Sequence, residues 1–167
     1  EAFQSAGAFL GPTAFTVRSG ALDESSSERV NGHLVSLDYF STLGVTSAQG
    51  RLLGEQDAPG SPPSVVISDV FWRNRLGGDP KAVGSMLRVN GGAATIVGIM
   101  PPGFRGAFPQ SPADIFVPVT IDPSRAPELR NNLLDDLNAA RFRVVLRLKE
   151  GVTRTQGEAA IQVITRN

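Results

Sequence analysis

"SMLRVNGGAATIVGIM", residues 85–100, carries the clearest local signal in the chain. Two strand-like runs flank Asn90-Gly91. Both residues tolerate the left-handed backbone of a two-residue type I′ turn, so the stretch predicts a β-hairpin. Just upstream, "SVVIS" (64–68) is short, apolar and β-branched, the pattern of a buried strand. Ser68 is then placed to cap a helix over "DVFWRNRLGG". In that helix Phe71, Trp72, Arg75 and Leu76 form one stripe, apolar with an arginine stem along it. Trp72 is the only tryptophan, and the strand layer beside its helix predicts a packing role for it. Asp79, with Pro80 at the first helical position, predicts a second short helix ending at Gly84.

Working outward, "AFTVRSG" (14–20) reads as a strand, "LDESSSE" (22–28) as a polar loop and "RVNGHLVS" (29–36) as a strand. In the last of these Val30, Gly32, Leu34 and Ser36 share one face and Asn31, His33 and Val35 the other. Ser36 is expected to cap a helix over "LDYFSTLG", with Asp38 in its first turn and Gly44 as its stop. A turn-rich link runs from Gly50 to Pro63. "DIFVPVT" (114–120) is a strand whose Pro118 argues for a sheet edge. A helix is expected from Pro127, burying Leu129, Leu133, Leu134 and Leu137. "FRVVLRLK" (142–149) alternates as a half-exposed strand. Thr153 and Gln156 have capping-box spacing for a last helix with Ala159, Ala160, Val163 and Ile164 as its apolar positions. Hairpins and helices without steady βαβ alternation argue an α+β fold.

The 167 residues suit one domain or two small lobes. Such a chain buries roughly two-thirds of its unfolded surface. Hydrophobic residues at 41% and charged residues at 19% describe an ordinary folded protein. With 16 basic and 16 acidic side chains, no net charge and no Lys/Arg run, no counterion-displacing stripe is available for nucleic acid. The absence of cysteine excludes thiolate chemistry, Cys-ligated zinc and disulfides. No apolar run approaches the ~20 residues of a membrane span. The first residue is Glu1, and the chain is expected to be an excised or processed piece of a longer protein.

The residues that carry chemistry are sparse. His33 is the only histidine, so neither a His-rich metal site nor H-E-x-x-H can form, and His33 reads as a strand residue without a catalytic role. There is no G-x-S-x-G and no G-x-x-x-x-G-K-[ST], which excludes a nucleophile elbow and a phosphate loop. "GGDP" (77–80) resembles a cyclase signature, but Pro80 stands where its second acidic residue belongs. Asp135 and Asp136 are adjacent on the expected helix, point about 100° apart and make no carboxylate pair. Catalytic, cofactor and metal residues are therefore expected to be absent. The stiff loop "PPGFRGAFP" (101–109) is the main candidate for partner contact, through Phe104, Arg105 and Phe108, with Arg75 as a further test position. A second reading leaves Phe104 folded back as a plug for the hairpin.

"VSLDYFSTLGVTSAQGRLL" (35–53), "VVISDVFWRNRLGGDPKAVGSMLRVNGGAATIVGIMPPGFRG" (65–106) and "VVLRLKEGVTRTQGEAAI" (144–161) together resemble the extracytoplasmic core domain of MacB-type ABC transporter permeases. More narrowly, they are similar to the acidobacterial-type permease group. The resemblance covers roughly residues 29–164, in order. It implies a non-catalytic domain in the periplasm, inserted between two membrane helices of an inner-membrane permease. ATP would be hydrolysed by a separate cytoplasmic ATPase, and the domain would transmit that motion to a substrate or a periplasmic adaptor protein outside. The resemblance also implies a homodimer in the full transporter and two lobes: a β-rich inserted lobe, mainly 29–120, and part of a membrane-proximal αβ lobe. The rival readings from the residues alone are a secreted hydrolase using acidic residues such as Asp114, and a stand-alone ligand-binding module.

Overall fold

A computed structural model describes residues 8–21, 29–89, 92–119 and 142–165, with side-chain placement at 18–21 and 164–165 left aside. Twelve elements follow in order: β1 (Phe9–Ala21), β2 (Arg29–Val35), α1 (Tyr39–Leu43), β3 (Gln49–Gly50), a 3-10 turn (Glu55–Asp57), β4 (Ser64–Ile67), α2 (Asp69–Leu76), β5 (Met86–Val89), β6 (Gly92–Ile99), β7 (Ile115–Pro118), β8 (Arg143–Leu148) and α3 (Arg154–Thr165). The polar run 22–28, the turn residues Asn90-Gly91, the expected helix from Pro127 and Asp135-Asp136 lie outside the described residues.

The strands make one mixed eight-stranded sheet in the order β3-β6-β4-β7-β2-β1-β8, with β5 also on β6. Val89 pairs with Gly92 across the β5/β6 hairpin, which leaves the two-residue connection that Asn90-Gly91 demands. Two pairs are parallel, β2 with β7 and β4 with β6. The fold is thus mixed α and β, a sheet with few short helices.

Strand alternation divides the interior in two. Val65, Ile67, Ile115 and Val117 point to one face, where they pack with Phe71, Leu87, Ala94 and Ile96, and Trp72, Leu76 and Val83 cover them. Val66 and Phe116 point to the other, packed with Phe15, Tyr39, Phe40 and Met100, and Phe104 and Phe108 cover those. The layers are α2 with the 79–84 turns, the sheet, and α1 with the 101–113 segment. Because both faces are covered, β2 is buried on both sides from Gly32 to Val35, not on one.

Local signals decided several elements as expected. Ser68 Oγ accepts from the Phe71 amide at 3.1 Å, and Asp69 in the first turn accepts from Arg73. Gly77 and Gly78 both have positive φ, 62° and 70°, which answers why two glycines end this helix. Gly44 closes α1 at φ 68°. Thr153 and Gln156 cap α3 reciprocally, at 2.9 and 3.3 Å.

Other expectations need correction. Ser36 caps no helix; α1 begins at Tyr39 with Asp38 before it. The Ser36 hydroxyl donates to Asp38 Oδ1 at 2.5 Å and accepts from the Ala14 amide at 3.0 Å, so it stitches β2 to β1 instead. β1 starts at Phe9, well before Ala14, and passes Pro12 beside an irregularity at Gly11. Asp79 and Pro80 open only turns: Asp79 Oδ1 accepts from the Lys81 amide, and Gly84 at φ 92° ends the path before any helix forms. Pro118 is not on an edge strand. β7 lies between β4 and β2, but β4 pairs only with Ile115 and Phe116, so Pro118 stands past it, where no β4 carbonyl awaits its missing N–H.

Phe71 is the fully buried member of the α2 stripe, and Trp72 packs against the same core from its margin. Phe71 is buried; Trp72 is half-buried, donates its indole N–H to the Asp79 carbonyl at 2.8 Å and carries the Arg73 guanidinium over its ring. Arg75 is exposed. On α3 the buried side is Gly157 with Ala160 and Ile161 half-buried, whereas Ala159 and Val163 face solvent. Gly157 is small because Leu148 sits there: a Cβ would come within 2.5 Å of Leu148 Cδ2. β8 is half-exposed as expected, but its apolar face is covered only in part: Leu146 and Leu148 are half-buried beside α3, Val144 and the preceding Phe142 are exposed, and Val145 on the other face packs on the aromatic cluster.

One ion pair braces the 50–63 link. Asp57, 4% exposed, accepts from Arg51 at 2.7 and 2.9 Å and from the Gly54 amide at 3.0 Å. Burial alone would push its carboxyl up, but Arg51, the Gly54 amide and Ser64 together hold it below its ordinary 3.8. A carboxyl lowered in the folded state gives stability that is present above the unfolded pKa and lost as pH falls through the folded one. Asp57→Asn should therefore lower the urea midpoint at pH 7 and close the gap to wild type at pH 3. A gap that stays constant with pH would disprove the charged role.

Candidate partner-contact surface

Residues 101–113 form a strap across the aromatic face of the sheet. Its prolines limit the backbone, and Gly103 and Gly106, at φ 87° and 96°, supply the two left-handed positions it needs to turn. Phe104 points inward. Its ring lies 5.9 Å from Phe116 and 6.3 Å from Phe40, centroid to centroid. Phe108 is half-buried beneath the Arg143 guanidinium, 4.0 Å above its ring. Arg105 closes the strap on itself, donating to Asp114 Oδ1 at 2.8 Å while its carbonyl accepts from the Ala113 amide. Asp114 Oδ2 also accepts from the Asn31 amide at 3.0 Å.

Two further residues, not singled out for contact in the sequence, fasten the strap. Tyr39 Oη accepts from the Ala107 amide at 2.8 Å, and His33 Nε2 lies 2.8 Å from the Ser111 carbonyl. Burial pushes the Tyr39 phenol up, opposed by the Ala107 amide, so the hydroxyl stays protonated at neutral pH. No sequence pattern marks either residue, since both bonds join positions far apart in the chain.

The structure brings Phe104, Arg105 and Phe108 together but separates them from Arg75. The helix of Arg75 covers the opposite face of the sheet. What the strap presents to solvent is Pro102, Gly103, Pro109 and Gln110, which are exposed, while its aromatics serve as anchors. Beside the strap's sheet, at the ends of β2 and β7, an open groove of about 540 Å³ is lined by Ser36, Asp38, Ser41, Leu53, Glu55 and Val119 among others. Among the described residues no group of three His, Cys, Asp or Glu could hold a metal, and no helix is long and apolar enough to cross a membrane.

Residues 3–164 match the model of the MacB-like periplasmic core domain, and the chain belongs to that family. It is the periplasmic domain of a MacB-like ABC transporter permease, a class that works beside membrane helices and an ATPase and is not a known enzyme class. No curated protein matches it. Solved structures agree on the fold. The periplasmic region of MacB from Actinobacillus actinomycetemcomitans superposes with a TM-score of 0.68 at 18% identity, over 95% of this chain and 67% of that one. A domain of a permease protein from Porphyromonas gingivalis gives 0.60 at 19%, over 99% and 67%. The extracellular domain of the noncanonic ABC-type transporter YknZ from Gram-positive bacteria gives 0.67 at 14%, over 99% and 79%.

Proposed function

We propose that this domain transmits ATP-driven motion of the permease to a substrate or an adaptor protein outside the inner membrane. The observation that supports this reading is the covered sheet. Both faces are packed, and close-packed interiors deform little, so a push at one end is delivered at the other. The strap is the proposed delivery surface: Phe104, Arg105 and Phe108 set its shape, and Pro102 to Gly103 and Pro109 to Gln110 make the contact. Prolines lower the entropy lost when such a loop is held by a partner. Arg75, on the opposite face, is proposed as a separate contact. The lobe division at about 29–120 and the homodimer belong to the same proposal. The hydrolase reading has less support, because the Asp114 carboxylate is occupied by Arg105 and Asn31.

This domain has no cysteine, so within it a spin label attaches only where a cysteine is introduced. In the full permease with its ATPase, labels on exposed Leu10 and Met86 should keep one mutual distance through the ATP cycle. Either label paired with one in a membrane helix should change distance when ATP is trapped. No ATP-dependent change in the second measurement would refute transmission.

A further inference from the structure

We propose that His33 is a proton-operated latch that holds the 101–113 strap against the aromatic face of the sheet. The device is independent of what the strap contacts. His33 is wholly buried, 0% exposed, with its ring stacked on Phe15 at 5.4 Å and edge-on to Phe116 at 5.7 Å. A carbonyl oxygen only accepts, so the 2.8 Å contact to Ser111 places the imidazole proton on Nε2. Nδ1 is then a bare lone pair, buried with no partner. Gly106 seals it: a Cβ there would lie 2.8 Å from both Nδ1 and Cε1 and 3.4 Å from Tyr39 Oη.

A second proton must go to Nδ1. It would create a cationic N–H donor with no acceptor within hydrogen-bond reach, which is the costly way to bury a polar group. The groups around it do not compensate. Phe15 on β1 and Phe116 on β7 are apolar, and Tyr39 on α1 is neutral and already holds the Ala107 amide. Arg143 on β8 repels a cation, and Asp114, which would attract one, is paired with Arg105. Burial is the largest influence and puts the imidazole below its ordinary 6.5; the Ser111 carbonyl opposes this, Arg143 adds to it and Asp114 opposes it.

Relief has to come from the strap. β2 is held between β1 and β7, so the ring cannot leave, whereas the strap hangs on the His33, Tyr39 and Arg105 bonds and on two half-buried rings. Opening frees Nδ1 and lets the imidazole titrate near its ordinary value. Because the closed form binds its proton less readily, closure is fully favoured above about pH 6.5. It weakens by up to about tenfold per pH unit below that, until the closed form itself titrates.

The test is amide hydrogen exchange on the 167-residue chain between pH 7.5 and 5.0, as protection factors, with the imidazole resonance followed by NMR. That resonance is unambiguous, since the chain has one histidine. Protection at Ala107 and Ala113 should fall about tenfold between pH 6.5 and 5.5 while Ile96 and Met100 hold steady. His33→Gln keeps a donor toward Ser111 but takes up no proton, and should give a flat profile. A flat wild-type profile, or an equal fall in His33→Gln, would overturn the latch. Should His33→Gln not fold, the wild type decides alone: imidazole and strap amides must share one transition, and an imidazole that titrates over an unmoved strap overturns it.

Discussion

Phe116→Ala is expected to be the most damaging single truncation in the domain. Phe116 is 0% exposed and its ring stands 5.3 Å from Phe40, 5.7 Å from His33, 5.9 Å from Phe104 and 6.2 Å from Tyr39. It therefore joins α1, the strap and the sheet in one cluster. Emptying a phenyl site in a packed core costs about 3–5 kcal/mol, since the lost transfer energy adds to the cavity left behind. In a chain of this size each kcal/mol moves Tm by about 2–4 °C, so a fall on the order of 6–20 °C is expected. The melts belong at pH 7.5, where His33 is neutral. Phe142→Ala is the control: its ring is 37% exposed and its loss should move Tm by no more than a degree or two. A Phe116→Ala protein that melted beside wild type would show that the strap, not the sheet, supplies the packing on this face.

How much of this was legible in the sequence depends on the range of the interaction. The 85–100 hairpin, the Ser68 and Thr153–Gln156 caps and the Gly44 stop each need only a few neighbouring residues, and each formed as read. Ser36 failed because its hydroxyl had a competitor 22 residues away in Ala14, which no local pattern reveals. Pro118 failed because an edge is a property of the whole sheet: β7 acquires β2 and β4 as neighbours only through long-range pairing. The helix expected at Asp79 gave way to turns, in which Asp79 Oδ1 takes the Lys81 amide and the Asp79 carbonyl takes the Ala82 amide and the Trp72 indole N–H. The strap was half legible. Its aromatic and proline content marked it as unusual, but the bonds from Tyr39 and His33 that fasten it join positions far apart in the chain and leave no local pattern. The family resemblance reached further than any of these signals, because it draws on the order of many weak motifs over residues 29–164 and the family match spans 3–164.

Gly98→Ala should destabilise the domain strongly, against the simple expectation for a glycine in a strand. Glycine inside a strand ordinarily costs roughly 0.5–1 kcal/mol relative to alanine, so filling it would normally help. At Gly98 the sign reverses. A Cβ there would stand 2.0 Å from the Arg51 carbonyl oxygen, 2.9 Å from its carbon and 3.2 Å from its nitrogen. Those atoms are backbone and cannot swing aside as the end of a side chain would. They are held in place because Arg51 donates its amide to the Val97 carbonyl at 2.8 Å and Gly50 pairs with Gly98. Gly50 shares the constraint: it sits at φ 67°, and a Cβ on it would meet the Val97 oxygen at 2.3 Å. The methyl must therefore drive β3 off β6. Overpacking of this kind costs about 1–3 kcal/mol even where side chains can adjust, and a rigid backbone neighbour places Gly98→Ala at or above the top of that range. Moving Arg51 also draws its guanidinium from Asp57, so the variant should lose part of the acid-sensitive stability that Asp57 contributes. Urea midpoints at pH 7 and pH 3 measure both effects: a large drop at pH 7 that narrows at pH 3 is expected. A midpoint equal to or above wild type at pH 7 would mean that β3 gives way freely and that the close approach of the two strands does not hold the 50–63 link in place.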